Sequence, residues 1–160
     1  MKVELREYKL PVVPIPAPRM TRQDRFAKRP VVERYKAFRT ELLMRSRLQG
    51  LTDLPASVGF IFYIPMPVSW SQRKRAEMEG TMHQQTPDLD NLIKAVLDCF
   101  TYGRHVSDSY VGTFLFAQKV WATEGSITIY EVPREEGRAC RAVKTVVEWV
   151  NALINHKPKQ

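Results

Sequence analysis

The run VGFIFYIPMPV at residues 58–68 sets the first limit on the fold. It is the longest apolar stretch of the chain, short of the roughly 18 residues a membrane-spanning helix requires. Its aromatic and β-branched residues suit a pleated surface, and Pro65 and Pro67 stop it because proline cannot donate to a ladder. SVGFIFYIPM therefore reads as a central, buried strand. A chain of 160 residues with 44% apolar and 26% charged content can build a real core around such a strand as one domain.

The rest of the chain supplies the layers. Residues 2–13 read as a first strand with Val3, Leu5, Tyr8 and Leu10 as inward candidates. PIPAPRMTRQDRFAKRP then reads as a basic loop, its prolines ending the sheet. Residues 31–48 place Val31, Tyr35, Phe38, Leu42 and Arg45 at helical spacing, and Gly50 ends that helix. Residues 68–85 carry the Arg73, Lys74, Arg75 cluster, with a short helix expected in their middle. A helix from about Pro87 to Phe100 or Tyr102 ends before Gly103, and YVGTFLFAQKVW with SITIYEV reads as an antiparallel hairpin across ATEG. Residues 135–154 carry a further amphipathic helix. The N-terminus lacks the apolar core of a signal peptide, so export is not expected. Cys99 and Cys140 are expected to be reduced thiols, since no zinc-type spacing is present.

Charge narrows the partner. There are 25 Lys and Arg against 17 Asp and Glu, a formal charge of +8, which favours an anionic partner and nucleic acid above others. Against that background TPDLDNLIKAVLDCF gathers acid at a helix start. Leu89, Leu92, Ile93, Val96, Leu97 and Phe100 share one face, and Asp90, Asn91, Lys94 and Asp98 lie on the other. Two readings compete. In one, Thr86 or Asp88 caps the helix and Asp90 with Lys94 forms an i,i+4 pair. In the other, Asp88 and Asp90 meet Asp108 of HVSDSYV, which a returning strand can just bring back, and the three carboxylates hold a hard cation, Mg²⁺ or Mn²⁺. Lys94 would then face a phosphate in the transition state. His83, His105 and His156 are scattered and read as surface or loop residues.

The block PDLDNLIKAVLD followed by VSDSYV resembles the RusA family of Holliday junction resolvases of bacteria and their phages. That pattern has D-x-D-N, a lysine four residues after the second aspartate, and a third aspartate before the next strand. PAPRMTRQDRF and RYKAF are similar to the opening loop and helix of phage-type members, so the likeness covers roughly residues 14–132. The resemblance implies that Asp88, Asp90 and Asp108 form a Mg²⁺-dependent catalytic centre, with Mn²⁺ as a substitute ion, and that Lys94 supports catalysis. It also implies a homodimer that cuts opposed strands of a four-way junction in the bacterial cytoplasm, with no membrane association. Ser107 stands where relatives can carry an acid.

The resulting expectation is one α+β domain, a mixed, partly antiparallel sheet flanked by helices. Residues 1–134 form its RusA-like body, and 135–160 a C-terminal helix and tail. Arg19, Arg22, Arg25, Arg73, Lys74 and Arg75 are candidate phosphate contacts, each competing with the reading of a solvated charge. Trp70 and Phe26 could stack on bases or simply pack. Two rival functions use the same residues: a non-catalytic binder of branched DNA, and a metal-dependent nuclease of flaps or single strands.

Overall fold

The structure, a computed structural model, describes residues 5–25, 29–103 and 107–132. The helix expected over 135–154, together with Val3, Phe26, Lys28, His105, Cys140 and His156, lies outside them. The strands are β1 (Arg6–Leu10), β2 (Ser57–Pro65), β3 (Thr113–Ala122) and β4 (Ser126–Glu131); the helices are α1 (Pro30–Leu48), α2 (Gln72–Met78) and α3 (Leu89–Thr101). The four strands form one mixed sheet in the order β1-β4-β2-β3. The α+β single-domain expectation holds, and β2 is interior as its apolar run demands.

The expected hairpin does not form. β4 pairs antiparallel with both β1 and β2, and β3 pairs parallel with β2 on the opposite side. Strand β2 thus separates the two strands that the short ATEG loop suggested were partners. The parallel β2–β3 pair needs a long crossover, and α2 and α3 provide it. Gly112 and Thr113 both donate to the Ala56 carbonyl, at 2.9 and 3.1 Å, which starts β3 level with β2.

Alternation along β2 selects the core face. Val58, Phe60, Phe62 and Ile64 are buried, and register puts Ile129 opposite Phe60 and Ile127 opposite Phe62. Tyr8 and Leu10 continue that face across β1. Leu92, Val96 and Phe100 of α3 and Tyr35, Phe38 and Leu42 of α1 close the same core. The α1 stripe is rotated from the expected one: Val32 is buried and Val31 is 47% exposed, because Val32, Tyr35, Phe38, Leu42 and Ser46 keep the 3.6-residue period. The two helices touch where the Tyr35 hydroxyl donates to the Ala95 carbonyl at 3.4 Å. Gly103, at φ +67, follows the Tyr102 cap of α3 in the left-handed conformation expected after a helix end.

The outer edge of β3 is covered by the chain leading to α3. Gly80 donates to the Trp121 carbonyl, Trp121 to the Thr81 carbonyl and His83 to the Lys119 carbonyl, each at 2.9 Å. These bonds satisfy an edge that would otherwise expose unpaired backbone groups. They also fix the approach of the chain to Asp88.

Candidate active site

Helix α3 starts the site. Asp88 occupies its N-cap with extended backbone, yet its side chain makes no capping hydrogen bond. Pro87 lies one residue ahead of the cap, outside the first helical turn. Asp90, in the first turn, and Lys94, one turn on, are both exposed, and among the described residues they form no ion pair with each other. Among the described residues neither the Asp88 side-chain cap nor the i,i+4 pair, the structural uses the sequence offered for these carboxylates, is formed. The start of α3 carries two exposed aspartates whose oxygens are uncommitted among the described residues.

Asp108 opens a 3-10 turn, Asp108–Tyr110, that rests against the second half of α3. It lines a cleft of ≈ 20 Å³ together with Leu54, Leu97, Phe100 and Thr101, room for about one water. Its carboxylate accepts from the Ser107 hydroxyl at 3.1 Å. Asp98 lies eight residues, or about 12 Å, along the helix from Asp90. Burial raises the pKa of Asp98, Lys94 pulls it down and Asp108 pushes it up, so Asp98 sits within reach of both charges. Among the described residues no three of His, Cys, Asp and Glu gather closely enough to hold a metal ion. The chain re-enters on the apolar Leu97–Phe100 patch rather than at the helix start.

The donor chemistry at Asp88 and Asp90 nevertheless fits a hard cation. Mg²⁺ is ordinarily held by one or two carboxylates plus waters and substrate phosphates rather than by a closed protein cage. Two exposed aspartates without partners among the described residues meet that description.

The basic loop reaches the same helix end. Ala17 donates to the Asn91 carbonyl at 3.4 Å, which brings the segment carrying Arg19 beside the first turn of α3. Arg19 and Arg22 are exposed, and Arg25 closes the Arg22–Arg25 3-10 turn. The loop is held by Asp24, which accepts from both Arg29 and the Thr21 N–H; these bonds, the Arg29 bond first, hold its carboxyl at about 2. The second basic cluster, on α2, is partly spent: Arg73 pairs with Glu77 at 2.9 Å, Lys74 lies 4.2 Å over the Trp70 ring, and Arg75 is half-buried. Trp70 packs on Trp121 with ring centroids 4.8 Å apart, so packing is its observed use.

A family model described as Endodeoxyribonuclease RusA matches residues 10–130, well over half of the chain and all of the acidic block. The chain belongs to the RusA family. It is accordingly an endodeoxyribonuclease of the Holliday junction resolvase class, a group of nucleases that is generally metal-dependent, and it acts on branched DNA. No curated protein and no solved structure matches it. In this RusA-family chain the match stops ahead of residues 135–160. No helix among the described residues is long and apolar enough to cross a membrane.

Two residues beside the site escaped the sequence. His83 is buried rather than at the surface, its ring 4.1 Å from that of Trp121. Lys119 faces the core side of β3, in register with Phe62, and its ammonium donates to the Gln85 and Pro87 carbonyls, the latter at 2.6 Å. A lysine between Ala117 and Trp121 on the inward register was the available signal.

His83 gives the fold a pH dependence. Burial first, then the charge of Lys119, holds its imidazole below the ordinary 6.5. The unfolded imidazole takes up a proton near 6.5 while the folded one resists it, so this stability is present above about 6.5 and is lost as pH falls below it. His83→Gln is expected to show a smaller drop in melting temperature between pH 7.5 and 5.5 than the parent protein. Equal drops would remove His83 as the cause.

Proposed function

We propose that this RusA-family chain resolves four-way DNA junctions as a Mg²⁺-dependent homodimer, in DNA recombination or phage DNA processing within the bacterial cytoplasm. The observation that carries the reading is the pair of uncommitted aspartates, Asp88 and Asp90, at the start of α3 with exposed Lys94 one turn on. Asp88 and Asp90 are the residues that would hold the ion, with Mn²⁺ able to replace Mg²⁺; Asp108, the third carboxylate of the family pattern, lies farther along α3 beside Leu97 and Phe100 and would act on the DNA or its waters from there. When bound, it supplies charge neutralisation at the scissile phosphate and activation of the attacking water.

The other groups act on the DNA directly. Lys94 faces the phosphate and stabilises charge that builds there in the transition state. Arg19, Arg22 and Arg25 hold the backbone beside the helix start, and Arg73, Lys74 and Arg75 extend the phosphate contacts. Such binding weakens steeply with salt and carries little sequence preference. A two-fold dimer offers two equivalent sites to a nearly two-fold substrate, one for each strand to be cut.

Labelled four-way junctions and flaps with Mg²⁺ test the substrate assignment. Paired, symmetric nicks on opposed junction strands, with slower cutting of flaps, are the expected result. A single cut on a flap at an equal or higher rate would support the flap-nuclease reading. Gel retardation of the junction without nicked product would support the binder.

A further inference from the structure

We infer that Lys119 is a positioning residue for the acidic helix start, setting where Asp88 presents its carboxylate; this rests on the reading of Asp88 as a cation ligand. The path from the edge of β3 to α3 has two kinds of attachment. Its first part, through His83, is held by backbone ladder bonds to β3. Beyond His83 the ladder stops, and the Gln85 and Pro87 carbonyls turn instead to one side chain, the Lys119 ammonium. Pro87 immediately precedes Asp88, so the plane of the peptide joining them is fixed by that bond.

The arrangement is specific in chemistry as well as place. An ammonium offers three donors, two of which are used here, and its charge strengthens its bonds to the two carbonyl oxygens. Lys119 is half-buried on the core-facing register of an otherwise apolar stretch, a position where a methionine would serve packing equally well. Asp88, in contrast, has no side-chain cap bond to fix it. The strand lysine therefore does for Asp88 what capping does not: it limits the directions in which an exposed carboxylate can meet an ion.

Three readouts on Lys119→Met and Lys119→Arg test this. Calorimetric titration with Mn²⁺ is expected to show about tenfold weaker binding in Lys119→Met, with partial recovery in Lys119→Arg. Hydrogen exchange is expected to speed up over residues 84–90 while α1 is unchanged. The Mg²⁺ concentration for half-maximal junction cleavage is expected to rise, with cation-free junction affinity retained. Wild-type cation affinity and exchange in Lys119→Met would overturn the inference. If that variant does not fold, Lys119→Gln carries the same comparison. Asp88→Asn is run in parallel: wild-type cleavage there would overturn the Asp88 assignment itself, whereas an inactive Asp88→Asn beside an unaffected Lys119→Met would overturn only the role of Lys119.

Discussion

Asp90→Asn is expected to lower the rate of junction cleavage by about a thousandfold while junction affinity in the absence of divalent ions stays within about twofold. The first figure follows from losing several kcal/mol of charge stabilisation at about 1.4 kcal/mol per tenfold in rate. The second follows because Asp90 is exposed and binds nothing among the described residues, so its neutral isostere leaves the fold intact. Removing one negative charge from a basic protein slightly favours DNA, which makes loss of cleavage without loss of binding diagnostic. Asp88→Asn is expected to behave in the same way. Undiminished cleavage in either variant would remove that residue from the site.

Phe60→Ala is the largest expected effect on stability, about 3–5 kcal/mol. Phe60 is fully buried in the interior strand β2, with its ring 5.8 Å from Phe62 and 6.2 Å from Phe114. Strands lie on both sides and helices cover the face, so little can collapse into the space left by the ring. Domains of this size are stable by roughly 5–15 kcal/mol in total, so the loss is a large fraction of the whole. Urea unfolding measures it; a change under about 1 kcal/mol would contradict the placement of Phe60 at the centre of the core.

How much of this was legible in the sequence depends on how local each signal is. The β2 strand was readable because an apolar run bounded by prolines has few alternatives, and α3 because six apolar residues repeat on one face. The phase of α1 was not, since adjacent Val31 and Val32 differ by one residue and 100° of rotation. The β3–β4 pairing failed for a different reason. A short polar loop between two strands is satisfied either by a hairpin or by a chain that passes β2 and inserts beside β1, and only the global sheet order separates them.

The site divides along the same line. Asp88, Asp90 and Lys94 lie within seven positions, so the local sequence alone places them at one end of a single helix. Asp108 depends on where the returning chain lands, and the structure sets it against Leu97 and Phe100, farther along α3 than reach alone suggested. Lys119 was invisible because its partners are backbone carbonyls 32 and 34 positions earlier, which leave no mark in residue type.

The central claim is that the uncommitted aspartates are a cation seat, and the most direct measurement is Mn²⁺ binding by calorimetry to the parent protein, Asp88→Asn and Asp90→Asn, with and without a four-way junction. Binding that weakens at least tenfold in each variant, and that tightens when the junction supplies its phosphates, is the predicted result. Parent-like binding in the Asp88 and Asp90 variants would contradict it.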